Sequence, residues 1–184
     1  MLLTWSGAEA SSHTNLRLCV PFIYMENKFM QLAYSEACKA FDEDEVPVGC
    51  VIVKDNCVIA KAHNKKVKKN CAIFHAEIEC INKATKKLNN WNLVGCQMYI
   101  TLEPCMMCTG AIINSRIDKI YFACKDPKGG SVVSNVKMKR IKNINHYPEY
   151  EYGLMEEECS LLLKKFFKNK RKNSPGNIEK HDKY

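Results

Sequence analysis

The first clear periodicity runs from Met25 to Phe41. Apolar residues recur there at helical spacing: Phe29, Leu32 and Ala33, then Ala37, Ala40 and Phe41. The polar run "FDEDEVPVG" closes that helix. Two alternating runs, "VGCVIVK" and "CVIAKA", then flank "DN", which predicts an antiparallel hairpin with a two-residue turn. After a lysine-rich loop, "HAEIECINKATKKL" returns to the helical period, with Ile78, Ile81, Ala84 and Leu88 on one face. "QMYITL" reads as a strand, "CMMCTGAIINS" as a short helix, "DKIYFAC" as a strand and "DPKGGS" as a loop. "EEECSLLLKKFFKNK" is a last amphipathic helix, with acids in its first turn and lysines in its last, as the helix dipole favours. The order helix, strand, strand, helix, strand, helix, strand, helix predicts a three-layer α/β/α domain. A central mixed sheet carries helices on both faces.

Length and composition fit one such domain: 184 residues, 46% of them apolar. The predicted domain spans residues 25–171. Residues 1–24 contain no lysine and precede the periodicity, so they are expected to be an extension outside the fold. Residues 172–184 are a polar basic tail, expected to be disordered. No stretch approaches the roughly 18 uncharged apolar residues of a membrane helix. The first residues lack the basic start and apolar block of a secretory signal, so a cytoplasmic protein is expected. The eleven cysteines are odd in number, and Cys50, Cys57, Cys80, Cys96 and Cys124 alternate with apolar residues. They are expected to be reduced, buried, small hydrophobes.

The net charge of +8 is unevenly placed. Residues 164–184 carry eight Lys or Arg against Glu179 and Asp182, and residues 61–74 carry five Lys and no acid. Two basic clusters on a balanced domain point to an anionic partner, although a solvated lysine-rich surface reads the same way.

Candidate chemistry concentrates in "FHAEIEC" and "TLEPCMMC". Cys105 and Cys108 are three apart at a helix start, so one turn presents both sulfurs to one point. His75, at the start of another helix, can supply a third ligand, and one imidazole with two thiolates suits zinc. A structural zinc would take a fourth Cys or His, and no second C-x-x-C exists. Three protein ligands leave a position for water, whose pKa zinc lowers from 15.7 to about 7. Glu77, two residues past His75, is placed to move protons beside the metal.

At these residues the sequence resembles the zinc-dependent cytidine and adenosine deaminase superfamily, in its H-x-E…P-C-x-x-C pattern. "EVPVG", "TLEPCMMCTGAII", "SRI", "KDPKGG" and "EEECSLLLKKFF" further resemble the bacterial tRNA-specific adenosine deaminases, at matching spacing from about Met25 to Arg171. The resemblance implies a cytidine-deaminase-like fold and a homodimer. It implies one Zn²⁺ per subunit on His75, Cys105 and Cys108, with Glu77 as general acid/base. The implied reaction converts adenosine to inosine at the first anticodon position of tRNA. Asn64 would hydrogen-bond the target nucleoside, and it also reads as a turn former. Asp126 would touch the anticodon-loop backbone, and it too reads as a turn former before Pro127. Phe166, Phe167, Lys168 and Arg171 match an aromatic-basic segment that meets RNA, with one of the two phenylalanines in the core. The chain departs from the pattern at Phe74, usually alanine, and at Tyr147, where a basic residue often follows "NH". A deaminase of a free nucleobase such as guanine or cytosine is the alternative, and a zinc-stabilised RNA-binding module is a third. An anticodon loop favours the first reading, because its splayed bases cost little to extrude and its phosphates match the basic clusters.

Overall fold

The computed structural model describes residues 16–172, with side chains described from Asn27 onward. The expectations for residues 1–15 and 173–184 lie outside the described residues.

Helix α1 (Leu16–Asp42) begins earlier than the Met25 start that its periodicity suggests. Strands β1 (Gly49–Lys54) and β2 (Cys57–His63) follow, then α2 (Ala76–Leu88), β3 (Cys96–Leu102), α3 (Met106–Asn114) and β4 (Lys119–Cys124). A 3-10 turn at Met138–Arg140, strand β5 (Glu149–Tyr152) and helix α4 (Glu156–Lys172) complete the order. The fifth strand is a correction to the sequence reading, which has four. Its "EYEY" alternates charge with aromatics and stays mostly exposed, so it carries no apolar stripe. The turn "DN" behaves as predicted: Asp55 and Asn56 take φ of 49° and 59°, the left-handed pair of a type I′ hairpin turn.

The sheet order is β2-β1-β3-β4-β5. β1 runs antiparallel to β2 and β3, while β3–β4 and β4–β5 are parallel. Alternation across the strands splits the interior into two layers. Cys50, Ile52, Met98, Ile100, Ile120 and Phe122 face α2 and α3, against Ala76, Cys80, Ala84 and Ile112. Val51, Val53, Tyr99, Tyr121 and Ala123 face α1 and α4, against Phe29, Met30, Ala33 and Cys159. This is the expected three-layer arrangement. Two details differ from expectation. The buried stripe of α2 runs through Ala76, Cys80 and Ala84, with Ile81 and Leu88 beside it and Ile78 half-buried. Cys57 is exposed, because it opens an edge strand directly after the hairpin turn.

Two local features set the site's frame. Gly49 sits where α1 crosses β1: a Cβ there would strike the Ala33 carbonyl oxygen and stand 2.5 Å from the Ala37 nitrogen. On β2, Ile52 pairs with Ala60 and Val53 with Val58, which leaves Ile59 unpaired as a β-bulge. Ile59 and Ala60 both pack toward α2. Beyond the bulge, Ala62 faces α2, His63 faces α1 and Asn64 faces α2 again. No described helix is long and apolar enough to cross a membrane.

Candidate metal and active site

His75 and Cys105 are both N-cap residues, of α2 and α3 respectively, with extended backbone. Their carbonyls accept the first helical bonds, from Glu79 and Thr109. Each side chain therefore springs from the positive end of a helix, where thiolate charge is favoured. Cys108 follows one turn into α3 and is fully buried. His75 Nδ1 lies 3.8 Å from Cys105 Sγ and 3.6 Å from Cys108 Sγ, and the three donor atoms all lie within 4.8 Å of one another. A tetrahedral zinc with bonds of about 2.0–2.1 Å to nitrogen and 2.3 Å to sulfur separates such donors by about 3.6 Å. The donor set and its spacing fit zinc. Among the described residues this is the one group of three such side chains close enough to hold a metal.

The thiols divide their protons unequally. The Cys108 hydrogen bond, helped by His75 and opposed by burial, brings Cys105 down to about 4. Cys108 is pushed up in turn, by the bond it gives Cys105 and by burial. One thiolate thus exists before any second proton must leave. Glu77 is 4% exposed, and burial raises its carboxyl above the ordinary range. A carboxyl so placed accepts a proton readily.

Asn64 is buried and already holds two partners. Its Nδ2 donates to the Val46 carbonyl at 3.0 Å, and its Oδ1 accepts the Ala76 N–H at 2.8 Å. It joins the end of β2 to the first turn of α2, one residue from His75. Asp126 receives the Lys128 N–H as a turn former does, and its own N–H donates to Glu103. The remaining sequence-predicted residues lie by α4. A groove of about 710 Å³ gathers Val46, Lys125, Asp126, Lys164, Phe167 and Arg171, so Asp126 and the aromatic-basic segment share one surface. Lys168 does not line it. Phe166 is buried and Phe167 is 45% exposed, which matches the expected division. Val46 links the groove to Asn64.

Two of the buried carboxylates that escaped the sequence reading, Glu45 and Glu103, brace loops. Glu45 Oε1 accepts the Lys68 N–H at 2.7 Å and ties down the lysine-rich loop. Glu103 gathers the N–H groups of Asp126, Val132, Val133 and Ser134 at 2.8–3.1 Å, and also the Ser134 hydroxyl. Gly130 passes close by: a Cβ there would meet the Glu103 carboxylate and stand 2.6 Å from the Asp126 carbonyl oxygen. The available signal was their place inside "EVPVG" and "TLEPC".

The model of the MafB19-like deaminase family matches residues 25–171. The tRNA-specific adenosine deaminase of Bacillus subtilis (strain 168) is 42% identical over 144 residues, which cover 78% of this chain and 89% of that protein. The Aquifex aeolicus tRNA-specific adenosine deaminase is 43% identical over 145 residues, covering 79% and 95%. A solved structure from a study of A-to-I editing by tRNA:A34 deaminases at the wobble position superposes with a TM-score of 0.72 at 42% identity, over 74% of this chain and 99% of that one. A guanine deaminase from Nitrosomonas europaea shares the fold, with a TM-score of 0.65 at 20% identity over 88% and 98%. The chain belongs to the MafB19-like deaminase family and, within it, to the tRNA-specific adenosine deaminases.

Proposed function

We propose that this protein hydrolyses adenosine to inosine at the first anticodon position of tRNA, releasing ammonia. The observation that carries the reading is the convergence of His75, Cys105 and Cys108 at zinc spacing beside a buried Glu77. Those three residues hold one zinc per subunit. When bound, the metal supplies the Lewis acidity that makes water nucleophilic at neutral pH. Glu77 takes a proton from the water that adds at C6 and returns it to the departing nitrogen. Its raised carboxyl affinity for protons suits that exchange. Asn64 has one Nδ2 hydrogen and one Oδ1 lone pair left after its two internal bonds, enough to hold the nucleoside.

Asp126, Phe167 and Arg171 contact the RNA from one groove, where Lys125 and Lys164 add positive charge, and Lys168 contacts it outside that groove. A second copy of the chain completes the site mouth. Ile73, 54% exposed, and Met106, 66% exposed, lie within two residues of zinc ligands and offer apolar surface for it. The protein acts in the cytoplasm.

Incubating zinc-loaded protein in parallel with tRNA, free adenosine, guanine and cytosine tests this. Nucleoside analysis should find inosine in the tRNA alone. Turnover of a free base with none on tRNA would overturn the substrate assignment.

A further inference from the structure

Behind Asn64 lies a second pair of buried polar residues with no part in the zinc site. His63 Nδ1 lies 2.9 Å from Glu36 Oε2, across the boundary between β2 and α1. Glu36 is 6% exposed and His63 7%. Burial alone would raise the Glu36 carboxyl, but bonds from Lys39 and His63 outweigh it and hold the group below its ordinary range. A carboxylate only accepts, so His63 Nδ1 carries the hydrogen. His63 Nε2 lies 3.5 Å from Glu43 Oε2, and the other carboxylate oxygen, Glu43 Oε1, meets Lys68 Nζ at 3.0 Å. Glu36 also takes a bond from Lys39 at 2.6 Å.

The covalent neighbour of His63 is Asn64; strand alternation puts the two on opposite faces, and the β-bulge at Ile59 sets which of them faces α1. Two contacts joined by a peptide bond therefore form one line through the protein. Glu36 on α1 grips His63. The backbone passes the constraint to Asn64, whose carboxamide grips the Ala76 N–H on α2. Ala76 stands between His75 and Glu77. A strand end is otherwise free to twist, and buried polar contacts of this kind hold one orientation because the alternatives leave charge unpaired.

We propose that Glu36 and His63 are positioning residues for the deamination reaction: they fix the end of β2 so that Asn64 presents its carboxamide to the nucleoside. The inference rests on the reading of Asn64 as a substrate contact. Neither Glu36 nor His63 touches substrate. Their effect travels through Asn64 and so depends on Asn64 being present.

That dependence is the test. A double-mutant cycle on the zinc-loaded full chain uses Glu36→Ala and Asn64→Ala, with a stem-loop RNA carrying adenosine at the first anticodon position. Glu36→Ala should keep one zinc per chain and lose about tenfold in kcat/KM, the scale of one misplaced hydrogen bond. Glu36→Gln retains an acceptor for His63 and should recover to within about threefold. In the Asn64→Ala background, Glu36→Ala should change kcat/KM by less than about twofold, because the group it positions is gone. If Asn64→Ala folds poorly, Asn64→Asp keeps the acceptor for Ala76 and removes the donor, and replaces it in the cycle. Fully additive losses would overturn the proposal and leave Glu36 a residue of the fold alone. An Asn64 variant with full zinc and undiminished kcat/KM would instead sink the substrate-contact reading, and the proposal with it.

Discussion

Glu103 Oε2 accepts the backbone N–H of Asp126 at 3.1 Å, while Oε1 receives three successive N–H groups from Val132 to Ser134. Such a cluster of backbone donors is an anion-binding nest, here filled by the chain's own carboxylate. Burial pushes the Glu103 carboxyl up, but the bonds from Ser134, Val133 and Asp126 hold it below its ordinary range. Removing it leaves several buried donors without a partner. Glu103→Ala should cost at least about 2 kcal/mol, read as a lowered melting temperature. Amide exchange should accelerate at Val132, Val133 and Ser134 before it does in β3. Unchanged exchange there would show that the loop holds itself.

Ligand and proton carrier are separable. Cys105→Ala should lose the metal, because His75 and Cys108 alone hold an ion poorly. Glu77→Gln should keep one zinc per chain and lose at least about 100-fold in kcat. Elemental analysis beside a single-turnover assay distinguishes the two. Full zinc in Cys105→Ala, or zinc lost from Glu77→Gln, would reassign the ligands.

Two glycines should answer alanine in opposite ways. At Gly49 the new methyl meets backbone of α1, so Gly49→Ala should destabilise by at least about 2 kcal/mol. At Gly110, inside α3, nothing lies within 4 Å of the added carbon. Gly110→Ala should stabilise by about 0.5–1 kcal/mol through helix propensity. Chemical denaturation of both variants checks the contrast.

Glu36 predicts a pH dependence of stability. Its folded carboxyl lies below the ordinary glutamate range, by its bonds to Lys39 and His63 working against burial. Its contribution is therefore present above that range, about pH 4.3, and is lost as pH falls through the folded value. Thermal melts should show wild type more stable than Glu36→Gln at pH 6, with the gap closing below about pH 4. A constant gap would mean that the ion pair contributes nothing.

Arg171 lines the groove beside Asp126 and Phe167. Arg171→Ala should weaken tRNA binding and flatten its dependence on salt by about one released counterion. Deamination at saturating RNA should change little, since the zinc ligands and Glu77 are untouched. An unaltered salt slope would remove Arg171 from the RNA interface.

The parts of this molecule legible in the sequence are those encoded over short spans. Helical periodicity, the "DN" turn and the H-x-E and C-x-x-C spacings each lie within one or two elements. The fifth strand was not legible, because Glu149 and Glu151 face solvent and its tyrosines are shared with neighbours: Tyr152 stacks on Phe122 at 5.3 Å. Nor were the roles of Glu36, Glu45 and Glu103. Each meets a partner more than 20 residues away in the chain, at His63, Lys68 and the segment from Asp126 to Ser134. Such pairings exist only once the sheet order has brought distant segments together. Phe166 and Phe167 show the intermediate case: the sequence demanded that one be inside, and the packing of α4 decided which.

The unpaired residue at Ile59 makes chain length part of the site. The hairpin turn at Asp55 and Asn56 is exposed and lies before the bulge. A residue gained or lost at that turn leaves the downstream phase of β2 intact. A residue gained or lost between Ala60 and Asn64 exchanges the faces. The imidazole of His63 would then turn toward α2, and the carboxamide of Asn64 toward the carboxylate on α1. Insertions and deletions in this hairpin are therefore tolerable on one side of Ile59 and ruinous on the other, whatever residues they involve.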